Sequence, residues 1–175
     1  RNKGVELSLN AKLILPKRTE GFFLDFGANF YAVKNYAVKL PYNGLPGNRQ
    51  GTIQVWDPSH PGQLMQVGGL VEGKRIGLDE VWIPKWDGIY RTQSELDADA
   101  NVVNSFLPYT GAIGQKFKQL GDAKWHQVYQ NDTIDSRQYV FAGRTTPKAS
   151  GSFFFNTGYK GFILYAAFAF AYGFI

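Results

Sequence analysis

Acid–base or metal chemistry would have to come from few side chains in this chain: two histidines, 14 carboxylates and no cysteine. His60 sits in a proline-flanked turn, and His126 stands beside Trp125 in a strand-like stretch. Neither H-x-H nor H-E-x-x-H spacing occurs, so no histidine-based metal site is expected. A Ser-His-Asp set drawn from distant positions has no local signature, and the G-x-S-x-G elbow is missing. Residues 68–75, "GGLVEGKR", nearly spell a phosphate-binding loop through Gly68, Gly73 and Lys74. Arg75 stands where a Ser or Thr must ligate magnesium, and the following "IGLDEVWIP" is strand-like where the chemistry needs a helix N-terminus. A glycine-rich hairpin turn is the reading. "DADAN" at 97–101 opens like a calcium loop, but Val102 replaces the required Gly and Pro108 the closing Glu.

Asp79 and Glu80 are adjacent. Neighbours in a strand face opposite sides, so the two are not expected to act together. Trp82 and Trp86, with Tyr90 nearby, could form a sugar-stacking platform or ordinary aromatic packing at a core or interface. Asn131-Asp132-Thr133 is a glycosylation sequon, meaningful only in a eukaryotic secretory host. The expectation from these motifs is no enzyme, no catalytic residue, no cofactor and no metal.

The elements that would carry these residues are mostly strands. Val5 to Leu13 alternates apolar and polar residues over nine positions, period two. Gly21 to Leu40 alternates again through Phe22, Leu24, Phe26, Ala28 and Phe30, with a bulge or bend expected at Gly27 and Asn29. Loops are expected at 41–50, 57–62 and 143–151, and a turn at Trp86-Asp87-Gly88. Strands are expected at 52–56, 64–71, 75–83, 115–120, 123–130, 137–141 and 152–156. One helix is expected over 94–103, capped by Ser94.

The closing stretch, "GFILYAAFAFAYGFI" at 161–175, is uncharged. As a helix it spans only about 22 Å, too short for a bilayer core of about 30 Å. Its large residues Leu164, Phe168, Phe170, Tyr172 and Phe174 fall on even positions, and Ala167, Ala169, Ala171 and Gly173 on odd ones. This predicts a strand over 162–174 with its large face buried and its small face flat.

Aromatics make up 16% of residues and glycine accounts for 20 positions, which favours β-structure with many turns. The net charge of +5 is scattered, with no basic arm. Specific nucleic-acid binding is therefore not expected, while weak, salt-sensitive attraction to phosphates is. One domain over 1–175 is expected. No signal segment is visible, and Arg1 is not an initiator residue.

Taken together, the opening strand "VELSLNAKL", eight to ten antiparallel strands, the loops "LPYNGLPGNRQG" and "AGRTTPKASG" and the apolar closing strand resemble a single jelly-roll capsid protein. The small major capsid proteins of tailless icosahedral phages with an internal membrane, from thermophilic hosts, are the family in view. The resemblance implies an all-β single jelly-roll barrel or sandwich with at most two short helices. It also implies a place in the virion shell, self-association, pairing with a larger capsid protein and weak electrostatic contact with lipid. Phe168, Phe170, Tyr172, Phe174, Trp82 and Trp86 are the expected interface residues. Two other readings stay open: an outer-membrane β-barrel of about eight strands and a sugar-binding β-sandwich.

Overall fold

The computed structural model describes residues 1–18, 21–99, 103–104, 118–130 and 133–175. Among these residues the fold is all-β and overwhelmingly antiparallel, with one short α-helix and two 3-10 turns. Four long strands dominate: β1 (Asn2–Ile14), β2 (Phe23–Asn35), β11 (Ala149–Tyr159) and β12 (Phe162–Tyr172). Between β2 and β11 lie β3 (Ile53–Trp56), β4 (Leu64–Val67), β5 (Glu80–Ile83), β6 (Trp86–Ile89), α1 (Gln93–Ala98), β7 (Val103–Asn104), β8 (Ala123–Trp125), β9 (Thr133–Ile134) and β10 (Val140–Arg144).

The long strands form one sheet in the order β1-β2-β11-β12. Each pairs antiparallel with its neighbour, so the sheet is a meander in which residues 36–148 join β2 to β11. At one end the connections are short. Residues 15–22 join β1 to β2, and a two-residue turn joins β11 to β12. Lys160 and Gly161 both hold positive φ there, +48° and +81°. This is the geometry whose twist suits a tight hairpin. All of residues 36–148 emerge from the other end. The described ones among them form two-stranded ladders, β3-β4, β5-β10 and β6-β8, with a short parallel contact between β7 and β9.

That inserted region holds most of the small core. Val55, Trp56, Tyr90 and Ile134 are buried, and the Trp56 ring packs on Tyr129 at 4.8 Å. Gln138, itself buried, knits the region together. Its side-chain oxygen accepts from the backbone N–H groups of Val128 and Tyr129, and its amide donates to the carbonyls of Tyr129 and Thr133. Polar groups that leave water need such partners.

Several expectations need correction. The helix runs over Gln93–Ala98, shorter than expected, and its cap is Thr92 rather than Ser94. Thr92 accepts from the Glu95 N–H while the Glu95 carboxylate takes the Thr92 N–H, a reciprocal capping box. Trp86-Asp87-Gly88 is strand, not turn: Gly88, with φ +125°, absorbs a register shift against β8. The strand expected over 64–71 stops at Val67 because Gly68 and Gly69 take positive φ. That expected over 75–83 starts only at Glu80. The loop expected over 143–151 is strand at both ends, in β10 and β11. No bulge occurs at Gly27; the irregularity of β1–β2 falls between Lys12 and Ile14. Gly27 has another use, since a Cβ there would collide with the Phe154 ring. Residues 115–117 of the strand expected over 115–120, Asn131 and Asp132 of the sequon, and residues 100–102 of the expected helix lie outside the described residues.

Candidate functional site

Directly opposed residues in an antiparallel ladder share a face, so the registers of the long sheet sort its side chains into two surfaces. One surface runs in rows across all four strands. Val5 opposes Ala32, Leu7 opposes Phe30, Leu9 opposes Ala28, Ala11 opposes Phe26 and Ile14 opposes Leu24. The rows continue through Gly151, Phe153 and Phe155 of β11. They end in Phe170, Phe168, Ala166 and Leu164 of β12. Thr157 is the polar side chain in these rows, and its hydroxyl donates to the Phe23 carbonyl at 2.7 Å. The rings touch along the surface: Phe153 stacks on Phe168 at 5.0 Å, and Phe26 meets Phe155 at 5.2 Å.

The opposite surface carries Glu6, Ser8, Asn10 and Lys12 of β1, Asp25 and Asn29 of β2, and Ser150, Ser152 and Asn156 of β11. Small alanines of β12 and a few rings lie among them. Here the polar groups pair with one another. Asn29 Nδ2 donates to Ser152 Oγ at 2.8 Å, and Asn156 Nδ2 reaches Asp25 at 3.4 Å.

The apolar surface is bare. Leu7 is 61% exposed, Leu9 56%, Phe168 52% and Leu164 64%. This corrects the expectation that the large face of the closing strand is buried: the strand and its alternation are there over Phe162–Tyr172, but among the described residues nothing covers that face. Among the described residues, no strand pairs with the outer edge of β1 or of β12.

Of the expected interface residues, Phe168, Phe170 and Tyr172 lie together on this bare surface. Phe174 stands past the strand end. With Trp82, Phe141 and Ile175 it lines a recess of about 650 Å³ between the sheet and the β5-β10 ladder. Trp82 packs on Phe141 at 5.5 Å and donates its indole N–H to Glu80 at 3.0 Å. Trp86 is exposed on β6. The sugar platform is not assembled, because Tyr90 is buried and hydrogen-bonded to Asp99 at 2.9 Å. Burial and that bond push the Tyr90 phenol well above its ordinary range.

Sequence reasoning missed one charged centre. Asp79 precedes β5 in the chain, so the face rule for strand neighbours does not apply to the pair. Both Asp79 and Glu80 converge on the Arg144 guanidinium, which also donates to the Ile76 carbonyl at 3.2 Å. Thr146 Oγ1 donates to Asp79 as well, and Arg75 stands 3.9 Å away. Burial raises the Asp79 pKa, but Thr146, Arg144 and Arg75 together outweigh it and hold the carboxyl below its ordinary value. This centre borders a cleft of about 420 Å³ with Tyr31, Val33 and Asn35 from the polar surface of β2. The only signal in the sequence was the coincidence of two carboxylates and a distant arginine.

The histidines do structural work. His60 Nδ1 meets Asp57 at 2.9 Å within its turn, and His126 Nδ1 meets Asp87 at 2.9 Å, tying β8 to β6. Asp97 and Asp99 of the calcium-like stretch bond to Gln93 and Tyr90, and among the described residues no three metal-binding side chains cluster. Residues 68–75 form turns with Gly68, Gly69 and Gly73 at positive φ and no helix after them. Among the described residues, no helix is long and apolar enough to cross a membrane, which says nothing of strands. The chain matches no protein-family model and no curated protein.

Proposed function

We propose that the long sheet is part of the wall of a membrane-spanning β-barrel, with its apolar surface toward lipid and its polar surface toward an aqueous lumen. The observation that carries this reading is the uncovered surface of four paired strands, apolar but for Thr157 within its rows and backed by a polar face. Membrane barrels show this alternation of apolar-out and polar-in side chains.

The dimensions agree. From Phe162 to Tyr172, β12 runs about 34 Å at about 3.4 Å per residue. Tilted by about 40°, it covers roughly the 25 Å of an outer-membrane apolar band. Tyr159 and Phe162 mark one rim of the band and Tyr172 the other, where aromatic girdles belong. The connections have the expected asymmetry too: short connections at one end, the long 36–148 region at the other. By the rule for such barrels the long region lies on the outer side of the membrane. In hydrocarbon every backbone group must find a partner. The free edges of β1 and β12 therefore call for further strands, from other sequence or from further copies. The cleft between β2 and Asp79 would then open at the outer mouth of the lumen, where it would meet polar solutes first.

Assembly into a shell, the jelly-roll capsid reading, would have to cover the same surface through subunit contacts. Mixing the chain with phosphatidylcholine vesicles separates the two. Co-floating protein whose β-sheet signal persists, and whose sheet residues are protected from added protease, supports the barrel. Shell-like particles in electron micrographs, with no protein on the vesicles, would overturn it.

A further inference from the structure

At its outer end the apolar surface stops at two cations. Lys3 and Lys34 are directly opposed in the β1–β2 register, one row beyond Val5 and Ala32. They therefore share the lipid-side face. Arg1 exchanges backbone hydrogen bonds with Tyr36 in the next position along the same ladder, which continues the row. Lys3 Nζ lies 5.4 Å from the centre of the Tyr36 ring. Lys3 and Lys34 are both exposed, and among the described residues neither forms an ion pair. The nearest acid in β1, Glu6, points to the other face.

Like charges directly opposed across a ladder destabilise it. A counter-anion between them reverses the sign of that interaction. In the barrel reading, this row sits just beyond the hydrocarbon, at the depth of lipid phosphates. Lysines and arginines beside a membrane surface gain about a factor of five in affinity each from anionic lipid.

We propose that Lys3 and Lys34, flanked by Arg1, form a clamp for the phosphate groups of anionic lipid in the outer leaflet. The clamp rests on the barrel reading, and it fixes the depth of the sheet by pinning the first row outside the apolar band. The amphipathic Tyr36 ring under Lys3 orients the ammonium at that interface.

The test compares binding of the full chain to phosphatidylcholine vesicles and to vesicles containing phosphatidylglycerol, at low and high salt. Expected are tighter binding to the anionic vesicles and a preference that falls roughly 25-fold in Lys3→Gln/Lys34→Gln, fivefold for each lysine. High salt should abolish the preference in the unchanged chain. Lys34→Glu is the second variant. It places opposite charges across the ladder, so thermal stability should hold or rise while the anionic preference falls. Insertion into neutral vesicles with an unchanged anionic preference in both variants would overturn the clamp and leave the barrel standing. Failure to bind either vesicle would overturn both. Loss of sheet signal in both variants would show that the lysines serve the ladder itself, which also overturns the clamp.

Discussion

Asn29 and Ser152 are joined twice across the β2–β11 ladder: Asn29 Nδ2 donates to Ser152 Oγ at 2.8 Å, and the Ser152 backbone N–H donates to Asn29 Oδ1 at 2.9 Å. One position along each strand, the side chains point the other way, into the apolar surface of Ala28 and Phe153. The two faces of one sheet thus carry different chemistry at the same height.

A charge should reveal that difference. Leu9 and Ser8 are neighbours in β1 on opposite faces. In vesicles, Leu9→Arg is expected to destabilise the inserted sheet by roughly 2–4 kcal/mol, the cost of a cation near mid-bilayer on a lipid-facing barrel surface. Ser8→Arg, on the polar face, is expected to change it by well under 1 kcal/mol. Denaturant unfolding of vesicle-bound protein measures both, and equal losses would show that the faces are not distinguished by lipid.

The Arg144 centre holds β5 and β10 together. Arg144→Ala leaves two part-buried carboxylates without their shared cation, and the expected loss is roughly 2–3 kcal/mol for that ladder. Arg144→Lys should recover little, because one ammonium cannot span both carboxylates as the planar guanidinium does. Hydrogen exchange of the Trp82 and Phe141 amides reads the local opening.

Acid should loosen the same region. Burial alone would raise the carboxyls of Asp79 and Asp135, but Thr146 and Arg144 on one, and Arg137 on the other, hold both below the ordinary value of 3.8. A carboxylate depressed on folding contributes stability that is fully present above its unfolded value and is lost as pH falls through its folded one. Trp82 fluorescence should therefore stay constant from neutral pH to about 5 and change progressively below 4. In Arg144→Ala the change should begin at higher pH.

Gly27 should be intolerant. A side chain there meets the Phe154 ring, which lies over it on the polar face, and Asn10 Oδ1 stands 2.8 Å from the same point. Gly27→Ala is expected to cost about 1–3 kcal/mol through overpacking. Adding Phe154→Ala should recover part of that loss, a coupling that a double-mutant cycle on thermal melting would measure.

What the sequence by itself determined is local. Period two in "VELSLNAKL" and in the closing stretch dictates strands with unlike faces, because successive side chains of a strand alternate whatever the strand pairs with. A helix near residue 94 is legible too, but not its cap, which is Thr92 rather than Ser94, nor its end at Ala98. The tertiary structure alone decided which strands are neighbours. β2 finds β11 across the whole 36–148 region, and no local pattern encodes that choice. It alone decided that the large face of β12 is bare rather than buried, because burial depends on what else the chain brings near. It alone brought Arg144 to Asp79 and Glu80, and made Gln138 the knot of a small core, because both depend on backbone groups and charges distant in sequence. The alternation was there to read; its solvent was not, since an apolar face has the same sequence whether it meets a protein core or lipid.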